Sequence, residues 1–219
     1  MKGIPLKILA ALFAIIVILI GNLLIYGKIV SKISEGEPIT KSSQEHPALL
    51  VIDVQEGTTG TESTIEAFTL QADSLIKRIN KTTSECNEAG IPVIFITQQV
   101  SNPLVNFLNS SMAKGSKGTK IDSRLNHKGK VHFFKNKADA FHNKEFDKYL
   151  REPGINTLYL TGLDAAQCVK STALGALNRG YQVVLIDELT ISKSETKKAT
   201  AFEMLKEEGV KIVSVFRIK

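Results

Sequence analysis

A chain of 219 residues with two cysteines has room for one domain of ordinary size plus an appendage, with a core large enough to need no structural metal. Two cysteines exclude a disulfide framework. A net charge of +6, with no nucleic-acid module and no aromatic residues interleaved with the basic ones, excludes a nucleic-acid-binding class.

The appendage comes first. Residues 8–27, "ILAALFAIIVILIGNLLIYG", carry no charge, and Asn22 is their one strongly polar residue. As a helix the run spans ~30 Å, the hydrocarbon thickness of a bilayer. A signal-peptide core is shorter, about 7–15 residues, and no small-x-small cleavage site follows, so a retained single-pass anchor is favoured over a cleaved signal. Lys2 and Lys7 before the run balance Lys28 and Lys32 after it, which leaves the orientation open. Residues 1–28 are therefore read as a transmembrane anchor (or an uncleaved signal), 29–46 as a polar tether and 47–219 as the folded domain.

In the domain, strand and helix signals alternate. "ALLVID" (48–53) is a short apolar run of branched residues, the mark of a buried parallel strand. Ile65, Phe68, Ala72, Leu75, Ile76, Ile79 and Cys86 then recur at helical spacing, and Gly90 and Pro92 stop that helix. Cys86 falls on its apolar face and reads as core. "PVIFIT" (92–97) is a second strand. Residues 98–130 are polar and weakly periodic, too long for a simple connector and more suited to a functional excursion. From Lys114 to Lys137 there are seven Lys and one Arg against Asp122 alone, a solvated basic loop or a surface for anionic lipid or an anionic ligand.

"KVHFF" (130–134) is the third strand, "NKEFDKYLREPG" a helix ended by Pro153-Gly154, and "TLYLTG" (157–162) the fourth strand. A helix from Cys168 to Asn178 follows, with small residues Ala173, Gly175 and Ala176 that allow it to lie close to the sheet. "QVVLID" (182–187), a helix around 194–208 and "VKIVSV" (210–215) complete the series. Six strands alternating with helices predict a three-layer α/β/α domain around a mostly parallel six-stranded sheet. In such sheets ligands bind beyond the carboxyl ends of the strands. Asp53 ends the first strand, Lys135 follows the third and Cys168 follows the fourth, so all three are expected over one edge. A cysteine in the first turn of a helix faces free N–H groups, and a nearby ammonium acts the same way. Both predict a lowered thiol pKa, and a carboxylate is placed to take the thiol proton.

These segments resemble the isochorismatase-like cysteine hydrolases, which include nicotinamidases, N-carbamoylsarcosine amidases and ureidoacrylate hydrolases. The resemblance runs from Ala48 to Val215. It is carried by "ALLVIDVQ" (an apolar strand ending in D-x-Q), by "FFKNKADAF", and above all by "LYLTGLDAAQCVKSTALGALNRGYQVVLIDELTIS". It implies a triad in which Asp53 deprotonates Cys168, Cys168 attacks an amide-type carbonyl to form a thioester, and Lys135 holds the two groups in register. It also implies a cis peptide at Leu163–Asp164, with the N–H groups of Asp164 and Cys168 forming an oxyanion hole. Gln55, Phe134 and Phe141 are the candidate pocket residues.

Two departures bear on specificity. Many relatives continue the first strand as D-x-Q-x-D-F, whereas Gly57 and Thr58 stand here, so the substrate is open among nicotinamide-, carbamoyl- and ureido-type amides. Metal-dependent nicotinamidases carry an Asp-x-His pattern after the second strand. "ITQQVSN" has none, so no metal and no other cofactor is expected, and His127 and His132 read as structural. The alternatives are an isochorismatase-type vinyl-ether hydrolase, which does not rely on a cysteine nucleophile, and a catalytically idle interaction domain at a membrane, which has no need of all three residues. The partners expected are a small-molecule substrate, the membrane through residues 8–27 and, as is common among relatives, further copies of the chain.

Overall fold

Short runs of Leu, Ile and Val between turn residues settle as central strands because both of their faces can be buried. The computed structural model describes residues 5–40 and 42–216. Residues 1–4 of the expected anchor, Lys41 of the tether and residues 217–219 of the domain lie outside the described residues. The strands are β1 (Pro47–Ile52), β2 (Val93–Gln98), β3 (Val131–Lys135), β4 (Thr157–Gly162), β5 (Gln182–Thr190) and β6 (Lys211–Val213). They form one sheet in the order β3-β2-β1-β4-β5-β6, and every neighbouring pair is parallel. The predicted mostly parallel α/β sheet is therefore wholly parallel among the described residues.

Parallel pairing requires crossovers, and the helices supply them. The helix α1 (Leu6–Ser31) precedes the sheet, and α2 (Glu66–Glu88), α3 (Pro103–Leu108), α4 (Lys144–Arg151), α5 (Lys170–Leu177) and α6 (Glu195–Glu207) connect its strands. On one face Leu50, Ile52, Ile94, Leu158 and Leu160 pack against Phe146, Ala173 and Leu205 from α4, α5 and α6. On the other, Leu49, Val51 and Phe95 pack against Phe68, Leu75, Ile79 and Cys86 of α2. Burying each of these Leu, Ile or Phe side chains contributes ~1.5–3 kcal/mol, which fixes the register of the strands and so the height of their carboxyl ends. Cys86 is fully buried, in the core as expected. The direction of chain winding reverses between β1 and β4, the switch point at which doubly wound sheets leave a crevice.

The apolar stretch forms α1, 26 residues long enough and apolar enough to cross a membrane, with its apolar side chains exposed. A signal sequence passes the same test. The residues after it are not the free tether expected from their polarity. Ser34 is buried, its N–H and hydroxyl donating to Asp139 Oδ2 at 2.8 and 2.6 Å. Arg179, equally buried, donates to Ser34 Oγ at 2.9 Å and to the Glu35 carbonyl at 2.9 Å. Ile39 N–H donates to the Arg179 carbonyl, and Arg151 reaches the Glu37 carbonyl. A polar segment can be buried when its partners are charged and aimed at it, and Asp139 and Arg179 are those partners.

Candidate active site

The carboxyl end of β1 turns sharply at Asp53, the one non-glycine residue with positive φ among the described residues (φ 55°). Such a conformation costs about 1–3 kcal/mol and persists where the surroundings hold it. Here Asp53 N–H donates to the Ile96 carbonyl at 2.8 Å, and Thr58 Oγ1 donates to the Asp53 carbonyl at 2.5 Å. The side chain is thereby aimed over the sheet edge. Its Oδ2 accepts from Lys135 Nζ at 2.8 Å, and its Oδ1 is buried without a hydrogen-bond partner.

Lys135 closes β3, two strands away in the sheet. Its ammonium also donates to Gln98 Oε1 at 2.5 Å and to the Lys137 carbonyl at 3.3 Å. Three donors on three acceptors fix it. Burial alone lowers its pKa, but Asp53 and Cys168 beside it more than offset this and hold it above the ordinary lysine value. It is an ammonium at any working pH. Gln98, at the end of β2, is a contributor that the sequence reading passed over; the strand-end rule that selected Asp53 and Lys135 points to it too.

The third group stands on the elbow after β4. Gly162 has φ 105°, and a Cβ there would lie 2.0 Å from the Ile52 carbonyl oxygen, so only glycine lets β4 close against β1 at this point. Leu163 N–H donates to the same Ile52 carbonyl, and the Leu163–Asp164 peptide is cis. Asp164 then caps the next turn: its Oδ1 accepts from Ala166 N–H at 2.9 Å and from Ser192 Oγ at 2.6 Å. That turn, Ala165–Val169, is π-helical and leads into α5. Wide turns of this kind occur often at functional sites, and this one carries Cys168.

Cys168 is half-buried. Burial pushes its pKa up, the Asp53 carboxylate adds to this, and the Lys135 ammonium opposes it only in part, leaving it at about 12. This corrects the lowered pKa expected from a helix N-terminus. Desolvation and an adjacent carboxylate outweigh the dipole and the ammonium. The resting site therefore holds a neutral thiol next to an ammonium–carboxylate pair with one unused carboxylate oxygen.

Residues 47–215 match the family model of the isochorismatase domain. The chain belongs to the isochorismatase family. Isochorismatase family protein 2A of Dictyostelium discoideum is 28% identical over 178 residues, covering 80% of this chain and 82% of that protein. N-carbamoylsarcosine amidase from Thermoplasma acidophilum has the same fold, with a TM-score of 0.67 at 24% identity over 80% of this chain and 99% of that one. So does the pyrazinamidase of Pyrococcus horikoshii, solved in complex with zinc, with a TM-score of 0.66 at 22% identity over 78% of this chain and 99% of that one.

Within this isochorismatase-family hydrolase the three candidate pocket residues take separate places. Gln55 is fully buried, and its amide is spent on the scaffold. Nε2 donates to the carbonyls of Gln98 and Gly118 at 3.1 and 2.7 Å, and Oε1 accepts from Gln98 N–H at 2.7 Å. It pins the 98–130 excursion to the end of β1. Phe141 is a core residue, its ring packed against Phe146 and Tyr181 under the Arg179 guanidinium. Phe134 is exposed and lines a cleft with Glu56, Ile121 and His132, on the strand face opposite to Lys135. None of the three reaches the Asp53–Lys135–Cys168 cluster by these contacts.

The two histidines expected to be structural have structural partners: His132 Nε2 lies 2.8 Å from Thr97 Oγ1, and His127 packs edge-on to Phe95. Among the described residues no three His, Cys, Asp or Glu side chains are grouped to hold a metal ion. The segment at the end of β2, "ITQQVSN", offers neither Asp nor His, and Gln98 is committed to Lys135. The residues of this site do not fit a metal.

Proposed function

We propose that this isochorismatase-family hydrolase cleaves a carbon–nitrogen bond of a small amide through a thioester on Cys168. One observation carries the reading: the Asp53 carboxylate is close enough to the Cys168 thiol to raise its pKa, and it keeps a buried, unpartnered Oδ1 while Lys135 occupies its other oxygen. A base needs a free lone pair within reach of the proton it removes.

Because a free thiolate is disfavoured in the resting site, deprotonation coincides with attack. Cys168 Sγ bonds to the amide carbon as its proton passes to Asp53. The tetrahedral oxyanion takes hydrogen bonds from the N–H groups of Asp164 and Cys168. Collapse breaks the C–N bond, and the proton held by Asp53 leaves with the nitrogen as ammonia or an amine. Water then adds to the thioester, giving one proton to Asp53, and the acid departs as that proton returns to sulfur. Lys135 stays charged throughout and keeps the Asp53 carboxylate facing sulfur. The substrate is a nicotinamide-, carbamoyl- or ureido-type amide.

The chain works at a membrane, held by α1 as a single-pass anchor. The length and apolar surface of α1 support this.

An ammonia-release screen over such amides, with Cys168→Ala as the blank, tests the catalytic reading. At least one amide should release ammonia with the native chain and not with the variant. Full activity in Cys168→Ala would refute the covalent route. The anchor reading fails if the mature chain in cells begins beyond residue 28.

A further inference from the structure

We propose that α3 is a second membrane contact, in which Phe107 and Leu108 enter the same lipid leaflet as the last turns of α1. This rests on reading α1 as a membrane span.

Three observations carry it. First, α3 is attached to the span itself. Asn102 caps α3, its Oδ1 accepting from Leu104 and Val105 N–H at 2.9 and 3.1 Å, and its Nδ2 donates to Asn22 Oδ1 at 3.0 Å. Asn22 is the one strongly polar residue of the apolar run, and a polar side chain at that depth needs a partner. Second, the depth is right for an interfacial helix. Asn22 lies six residues before Lys28, the first charge after the run, which is ~9 Å along the helix axis. A tilt of up to ~40° still leaves about 7 Å. Interfacial helices seat their apolar face ~5–10 Å into the headgroup boundary. Third, α3 presents the side chains for it: Phe107 is 87% exposed and Leu108 68%.

The orientation of the domain on the membrane follows. Ala138 N–H donates to the Val30 carbonyl at 2.9 Å, and Ser34 is clamped by Asp139 and Arg179, so the carboxyl-terminal end of α1 is held on the domain. Ala138 lies three residues beyond Lys135, and α3 begins five residues beyond Gln98. With α1 and α3 in one leaflet, the carboxyl edge of the sheet, which carries Asp53, Lys135 and Cys168, faces the lipid surface.

The chain contains no tryptophan, so single substitutions report by fluorescence without background. The full chain is reconstituted in phosphatidylcholine vesicles with and without a mixture of lipids brominated high and low on the acyl chain. Three variants are compared: Ile16→Trp in α1, Phe107→Trp, and Glu152→Trp at the amino edge of the sheet. All three positions are exposed. Phe107→Trp should be blue-shifted relative to Glu152→Trp and quenched by bromolipid as Ile16→Trp is, with Glu152→Trp unquenched. Quenching of Ile16→Trp alone overturns the proposal and leaves the span standing. A blue-shifted but unquenched Phe107→Trp means that protein covers it, which also overturns the proposal. An unquenched Ile16→Trp removes the span, and the proposal with it.

Discussion

Lys135 and Asp53 make one contact, at 2.8 Å, that uses Oδ2 of the carboxylate and leaves Oδ1 buried and free. The ammonium comes from the end of β3 and the carboxylate from the end of β1, with Gln98 of β2 between them in the sheet. In the proposed mechanism this division of the carboxylate gives one side chain two roles: one oxygen is held in place, and the other takes the thiol proton.

Replacing Asp53 by Asn separates those roles. Asn tolerates the left-handed backbone that position 53 adopts, so the fold should survive. Turnover should fall by about 10²–10⁴-fold, the usual contribution of a positioned base. The alkylation rate of Cys168 should move the other way. The Asp53 charge raises the thiol pKa and Lys135 lowers it, so the variant exposes more thiolate at neutral pH. Iodoacetamide labelling at pH 7–9, read by peptide mass, should be slow at both Cys168 and Cys86 in the native chain. In Asp53→Asn it should accelerate at Cys168 alone. An unchanged Cys168 rate would mean that Asp53 does not act on the thiol.

Asp122 ties the 98–130 excursion to the active-site loop. It is fully buried, accepts from Thr59 Oγ1 at 2.7 Å and from Arg124 at 2.6–2.9 Å, and its N–H donates to the Val54 carbonyl. Burial pushes its pKa up, but the bonds from Arg124 and Thr59 prevail and hold it below the ordinary carboxylate value. A carboxylate so depressed stabilises the fold above its unfolded-state pKa, and that contribution is lost as pH falls through the folded value. Asp122→Asn should therefore lower stability by about 2 kcal/mol at pH 7, with the difference from the native chain shrinking in acid. Urea midpoints at pH 7 and in the acid range measure it. A difference independent of pH would assign the effect to packing instead of charge.

Gly162→Ala should damage both stability and activity. The positive φ alone costs on the order of 1 kcal/mol in a residue with a Cβ, and the Cβ would overlap the Ile52 carbonyl oxygen at 2.0 Å. Relief requires β4 and β1 to part where the elbow begins, which moves Cys168 away from Asp53. Thermal unfolding together with turnover checks this. A variant of native stability and native rate would show that the elbow does not depend on that close approach.

The sheet was legible in the sequence because "ALLVID", "PVIFIT" and "TLYLTG" bury both faces and their apolar runs need no distant partner to be recognised. The strand-end rule then brought Asp53 and Lys135 to one edge, and they meet there. What escaped depends on residues far apart in the chain. Ser34 reads as tether until Asp139 and Arg179, more than a hundred positions away, are seen to enclose it. Gln55 and Phe141 fit a pocket by their place in the motifs, but their partners make one a brace and the other core. The direction of the Cys168 pKa escapes for a related reason: the helix N-terminus is written in the local sequence, whereas the burial that outweighs it is produced by the whole fold.

The central claim is tested most directly by trapping the acyl group. With an amide from the ammonia screen, the full chain is acid-quenched during turnover and its intact mass and peptides are measured. The mass should rise by the acyl group of the substrate, on the peptide containing Cys168, and hydroxylamine should remove it. Turnover with no acyl group on Cys168, or with one carried by another residue, would contradict the account.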